Sequence, residues 1–134
     1  MRIYIIDDEF IVTKTLQGFL SDLGHDVASF NSLSEFMNNG KEENGPVDVI
    51  IVDLKMPKEN SIRIIKEIHR RYPVTDIVVM SSILPVQEAI LNSVYSYLKK
   101  PVHLDELELI LARMSERHVS VDINFHKESN RINF

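Results

Sequence analysis

The sequence predicts an α/β fold, a parallel sheet of five strands with helices covering both faces as a three-layer sandwich. Two observations predict it. Within residues 1–118, short apolar runs rich in β-branched residues alternate five times with segments of helical apolar period. Strands that are apolar on both sides of the pleat need cover on both faces, and parallel neighbours need right-handed crossovers between them.

The elements follow in order. Ile3 to Ile6 is a buried strand, and Phe10, Val12, Leu16, Phe19, Leu20 and Leu23 then recur at helical spacing, with Gly24 as the stop. Asp26 to Phe30 reads as a weaker strand. Ser32 or Ser34 caps a short helix carrying Leu33, Phe36 and Met37. Asn38 through Pro46 is the most loop-like stretch. Val47 to Val52 is the clearest buried strand, and Asp53 follows it directly. A helix with Ile62, Ile64, Ile65 and Ile68 on its apolar face runs to Tyr72 and stops at Pro73. Ile77 to Met80 is the next strand, ending at Ser81-Ser82. Pro85 suits the first turn of a helix with Val86, Ala89, Ile90 and Leu91. Tyr95 to Leu98 is a short strand before Lys99-Lys100-Pro101. Leu104, Leu107, Ile110, Leu111 and Met114 line one face of a last helix.

Composition narrows the function. The chain has 134 residues, 44% hydrophobic and 26% charged, which suits one soluble domain with a continuous core. It has no cysteine, which excludes thiol catalysis, disulfide frameworks and cysteine-rich zinc sites. A net charge of −5 without a basic stripe argues against nucleic-acid binding by this chain itself. No run approaches the roughly 20 apolar residues of a membrane span, and none suits a signal peptide, so the expected location is the cytoplasm. The five histidines lack metal-ligand spacing and read as surface or helix-end residues.

Ligands of open parallel sheets bind beyond the carboxyl ends of the strands. Those ends carry Asp7-Asp8 (with Glu9 next), Asp53, Ser81 and Lys100. Clustered carboxylates repel one another, and a hard divalent cation with oxygen ligands, Mg2+ above all, relieves the repulsion. Asp53 closes the most buried strand and is the candidate nucleophile toward phosphorus. Phosphoryl transfer needs in-line positioning and neutralised equatorial oxygens, which Mg2+, the Lys100 ammonium and the Ser81 hydroxyl would provide. Any one of these residues alone reads equally well as a helix cap or loop solubiliser; it is the set that points to a site.

The set also resembles a known family. Ile5-Ile6-Asp7-Asp8-Glu9, Val52-Asp53-Leu54-Lys55-Met56-Pro57, Met80-Ser81-Ser82 and Tyr97-Leu98-Lys99-Lys100-Pro101 are similar, in order, to the signature of response-regulator receiver domains of two-component signalling. The resemblance runs from residue 1 to about 118. It implies a doubly wound, flavodoxin-like sheet of order 2-1-3-4-5. It implies that Asp53 is the phosphoacceptor, and that Asp8, Asp53 and the main-chain carbonyl of Lys55 hold Mg2+ directly, with Asp7 acting largely through water. Ser81 and Lys100 would contact the phosphoryl group, Tyr97 would be the aromatic switch, and Lys100-Pro101 would be a cis peptide. The implied partners are a sensor histidine kinase or phosphotransfer protein upstream and an output domain or target downstream, with a second copy of the chain as a further candidate. The implied protein is a switch that assists its own phosphorylation and dephosphorylation, not an enzyme. The alternative is a phosphorylation-independent binding or dimerisation module. A haloacid-dehalogenase-type phosphatase would need Asp-x-Asp, and Asp53-Leu54-Lys55 lacks the second Asp.

Three departures accompany the resemblance. Only 18 residues separate Ser81 from Lys100, about one helical turn fewer than is usual in the family, so helix four is expected to be short or partly unravelled. The turn after Pro57 has Ser61 where the family has glycine, and Asn60 is expected to take over a left-handed turn there. Lys55 and Ile83, two residues after Asp53 and Ser81, flank the site at positions that the resemblance implies tune phosphoryl lifetime, and Ile83 is expected to hinder attacking water. Residues 119–134 form a separate tail. Val119, Val121, Ile123 and Phe125 alternate with polar residues, which fits either an extended linker, the favoured reading, or an extra strand.

Overall fold

The computed structural model describes residues 1–39, 45–55, 58–82 and 88–117. Residues Met1–Val102 form one compact unit and His103–Phe134 a second. In the first, β1 (Arg2–Ile6), β2 (Asp26–Phe30), β3 (Val49–Asp53), β4 (Asp76–Ser81) and β5 (Ser96–Lys99) make one sheet of order β2-β1-β3-β4-β5. Every neighbouring pair is parallel, so the expected doubly wound topology is the one observed. Helices α1 (Phe10–Asp22), α2 (Leu33–Asn39), α3 (Lys58–Arg71) and α4 (Glu88–Leu91) provide the connections.

Packing explains the strand sequences. β3 is central, and Val49, Ile50, Ile51 and Val52 are all buried, as a strand covered on both faces requires. Tyr4, Ile6, Ile50, Val52, Ile77 and Val79 point to one face and join Ile64, Ile65 and Ile68 of α3 and Ile90 of α4 in a single core cluster. Ile3, Ile5, Ile51 and Val78 are buried on the opposite face, where α1 contributes Leu16 and Leu20.

The helix ends follow their local chemistry. Gly24 has φ of 91°, and the Gly24 and His25 amides donate to the carbonyls of Ser21 and Leu20, a two-bond closure that satisfies the last turn of α1. Of the two candidate caps for α2 it is Ser32 that acts, its hydroxyl accepting the Glu35 amide at 3.0 Å. Phe36 is the anchor of α2. It is fully buried, with ring centroids 5.5 Å from Phe30, 5.4 Å from Tyr72 and 6.1 Å from Tyr4.

Several boundaries differ from expectation. β3 begins at Val49; before it, Asp48 already bonds the main chain of Arg2 and Asp76, and the buried Val47 gives its carbonyl to the Thr75 hydroxyl at 2.7 Å. β5 begins at Ser96, although the Tyr95 amide already donates to the Ile77 carbonyl at 2.8 Å. Asn60 adopts no left-handed turn: α3 has already begun at Lys58, and among the described residues only Gly24 and Gly45 have positive φ. The helix of α4 ends at Leu91, and the segment before Glu88 lies outside the described residues. The Asn92 and Ser93 amides close it onto the carbonyls of Glu88 and Ile90, and a ring nitrogen of His69 bonds the Ser93 carbonyl. Pro85, Val86 and Ile83 lie outside the described residues, as does the tail.

In the second unit a helix over 104–117, α5, carries buried Leu107, Leu111 and Met114 at the i, i+4, i+7 spacing of one apolar stripe. No helix among the described residues is long and apolar enough to cross a membrane.

Phe36→Ala should lower the free energy of unfolding by about 3 kcal/mol in urea titrations, because the aromatic cluster cannot collapse into the space. Phe10→Ala, at a position 65% exposed, should change it by less than about 0.5 kcal/mol.

Candidate functional site

The sheet register brings distant segments to one rim. Ile6 pairs with Val52, Asp53 with Met80, and Ser81 with Lys99, so the residues just beyond them emerge side by side. Main-chain bonds continue past the strands. The Asp7 amide donates to the Phe30 carbonyl at 3.1 Å, Leu54 to Met80 at 2.9 Å, and Lys100 to Ser81 at 2.8 Å. The Thr13 hydroxyl, one turn into α1, donates to the Asp7 and Glu9 carbonyls at 3.2 and 3.0 Å, which ties the loop after β1 down.

On this frame the charges interlock. The Asp7 carboxylate is fully buried; Oδ1 accepts the Glu9 amide at 2.9 Å and Oδ2 accepts from Lys100 Nζ at 3.0 Å. Lys100 Nζ also lies 3.2 Å from Asp53 Oδ2 and 3.5 Å from Glu9 Oε1. A second ammonium enters from the solvent side. Lys55 Nζ hydrogen-bonds Asp8 Oδ1 and lies 2.7 Å from Glu9 Oε1, 3.5 Å from Asp53 Oδ2 and 3.8 Å from Asp7 Oδ1.

The electrostatics separate these carboxylates. Burial pushes the Asp53 carboxyl above the usual range, and the charge of Asp7 adds to this; the pull of Lys100 and Lys55 does not cancel it. Asp8 and Glu9, on the open side, are held low chiefly by their hydrogen bonds to Lys55. Lys55 in turn is raised by Asp8 and Glu9. Burial works to lower Lys100, but its bonds to Asp7 and Asp53 outweigh it and the net shift is upward.

A hard cation fits this donor set. Asp7, Asp8, Glu9 and Asp53 each offer an oxygen, all within 4.8 Å of one another. Asp53 Oδ1 is buried and has no hydrogen-bond partner among the described residues, an orphaned acceptor of the kind a metal ligand leaves. The adjoining cavity, lined by Asp7, Asp8, Asp53, Lys55, Asn31 and Ser32 among others, is about 150 Å³. That suits an ion and a phosphoryl-sized group, and is smaller than the roughly 300 Å³ at which small-molecule pockets begin.

Of the residues singled out in the sequence, Asp7, Asp8, Asp53 and Lys100 converge on this rim. Ser81 is buried at the end of β4, its carbonyl bound to the Lys100 amide. Tyr97 sits on β5 opposite Val79 and is 40% exposed, beside a fully buried Leu98. The Lys100–Pro101 peptide is cis. Sequence reasoning noted Glu9 without giving it a role, and it placed Lys55 at the site without the reach of its ammonium. The run Asp7-Asp8-Glu9 carried a signal for the first; nothing local to Lys55 announces a reach across 47 positions to Asp8. Two substitutions in metal-free buffer should act in opposite directions. Lys100→Met strips the main counter-charge from buried Asp7 and should lower Tm by about 5 °C, whereas Asp53→Asn removes a disfavoured buried charge and should raise it by about 3 °C.

Comparison with known proteins places this architecture. Residues 3–112 match the family model of the response regulator receiver domain. The transcriptional regulatory protein CrdR of Helicobacter pylori is 26% identical over 117 residues, covering 84% of this chain and 54% of that protein. The chain spans about half or less of the length of the curated relatives it matches. A two-component response regulator from Clostridium difficile superposes with a TM-score of 0.76 at 26% identity, covering 88% of this chain and 98% of that one. The response regulator protein TrrA of Thermotoga maritima, solved in complex with Mg2+-BeF, gives 0.69 at 21% identity, covering 84% and 97%. With the family match extending over most of the chain and the sheet in the expected order, the chain belongs to the response regulator receiver domain family.

Proposed function

We propose that the chain is a phosphorylation switch of the cytoplasm, a receiver over residues 1–118 that accepts a phosphoryl group on Asp53 from the phosphohistidine of a sensor kinase or phosphotransfer protein. The observation that carries this reading is the Asp53 carboxylate itself, buried at the end of the central strand, facing Lys100 and retaining an oxygen with no partner among the described residues. A carboxylate oxygen of Asp53 attacks phosphorus, the new O–P bond forms as the P–N bond breaks, and the electron pair leaves on the histidine nitrogen, which takes up a proton. Lys100 neutralises charge on the phosphoryl oxygens, and the Ser81 hydroxyl, at the end of the next strand, donates to one of them. Asp7 holds Lys100 in place for that contact, and its own Oδ1 is fixed by the Glu9 amide.

Asp8, Asp53 and the Lys55 main-chain carbonyl would hold Mg2+ directly, with Asp7 in support. When bound, Mg2+ would supply Lewis-acid neutralisation of the phosphoryl oxygens. The acidic donor set supports this, as does the Mg2+-BeF complex of the Thermotoga maritima relative. Phosphorylation replaces one carboxylate charge with a bulkier group of higher charge and more acceptors, drawing Ser81 and Lys100 toward it. The half-exposed Tyr97 then has a reason to turn inward, which changes the face of α4 and β5 that a partner or output domain reads. The transcriptional regulators among the relatives support an output on gene expression in a longer protein.

Incubation with labelled acetyl phosphate and Mg2+ tests the reading. Acid-labile label should appear on the native chain, fall at least about 100-fold in EDTA, and be absent from Asp53→Asn. Label on Asp53→Asn at the native level would refute the assignment.

A further inference from the structure

We propose that the Lys55 side chain is the built-in counter-cation of the acidic rim, which a divalent cation must displace, so that Lys55 sets how much Mg2+ the domain needs. This rests on the reading of the rim as a Mg2+ site. It concerns the ammonium of Lys55, a group distinct from the main-chain carbonyl that the proposed metal site employs.

Three features of the geometry carry it. First, Lys55 Nζ lies within 3.8 Å of an oxygen from each of Asp7, Asp8, Glu9 and Asp53, the same four residues whose oxygens cluster tightly enough to hold a metal ion. The other ammonium, Lys100, pairs with Asp7, Glu9 and Asp53 and not with Asp8. Second, the two lysines differ in exposure and in their shortest contacts. The Lys100 side chain is only 12% exposed and sits on the buried oxygens of Asp7 and Asp53, whereas Lys55 is 38% exposed and bridges Asp8 and Glu9, the two open carboxylates. A cation arriving from solvent meets Lys55 first. Third, Lys55 has somewhere to go. Its flexible stem is partly in solvent, and Glu9, at 2.7 Å, can keep the ammonium after Asp8 and Asp53 have been surrendered. A compact ammonium and a small divalent ion compete for the same lone pairs and repel each other at this range, so both cannot hold Asp8 and Asp53 together.

Calorimetric titration of Mg2+ into the full chain at fixed ionic strength, with Lys55→Met and Lys55→Arg beside the native protein, tests the proposal. Lys55→Met keeps the length and apolar stem and removes the charge. It should bind Mg2+ about tenfold more tightly, and Lys55→Arg should stay within about threefold of native. Thermal unfolding supplies a second readout. Lys55→Met should melt below the native protein in EDTA, where the carboxylates lose their counter-ion, and this deficit should vanish at saturating Mg2+. Native-like or weaker Mg2+ binding by Lys55→Met would overturn this inference and leave the metal site standing. Binding by Lys55→Arg as tight as by Lys55→Met would overturn it likewise, since charge would then not be the cause. Absence of Mg2+ binding in all three proteins would overturn the metal site itself, and the inference with it.

Discussion

Four carboxylates crowd the carboxyl rim of the sheet, and two ammonium groups make that crowding tolerable. The inner contact is the decisive one. Lys100 Nζ reaches Asp7 and Asp53 at 3.0 and 3.2 Å, with the Asp7 side chain fully buried. Buried charge of this kind is costly unless paired and hydrogen-bonded, and removing one partner leaves the others exposed to the full penalty. The raised carboxyl of Asp53 shows that the compensation is incomplete at that one position.

The sheet exists in a form that serves this contact. Asp7 follows β1 and Lys100 follows β5, so β3 and β4 lie between them in the strand order, and their side chains meet only when all the intervening strands are in register. The apolar runs of β3 and β4, buried on both faces, set that register. The Lys100-to-Ser81 and Leu54-to-Met80 bonds then carry the ladder to the rim. The site is therefore sensitive to the whole sheet, and the Lys100-to-Ser81 main-chain bond ties the ends of β4 and β5 together.

Most of this was legible in the sequence, for identifiable reasons. Buried parallel strands announce themselves by continuous β-branched runs such as Val49-Ile50-Ile51-Val52, and β2, though weaker, is bounded cleanly by Gly24 and Ser32. The convergence of Asp7, Asp8, Asp53 and Lys100 followed from topology, because strand ends in a parallel sheet share one rim. What escaped was set by side-chain reach or by competition between neighbours. Asn60 was expected in a left-handed turn, but α3 starts early enough to take the chain directly into helix. Val47 reads as strand by its apolarity, yet its carbonyl goes to Thr75. Lys55 read as a main-chain contributor and as a residue flanking the site, but the span of its ammonium to Asp8 and Glu9 went unread; long flexible side chains leave no periodic trace.

If the rim acts as one electrostatic unit, its members must respond together. The most direct measurement follows the backbone amides of Asp7, Asp53, Ser81 and Lys100 by heteronuclear NMR while beryllofluoride is added at saturating Mg2+. All four resonances should shift with one common midpoint, because each residue contacts another across the rim. Shifts confined to Asp53, or four transitions with separate midpoints, would contradict a coupled site.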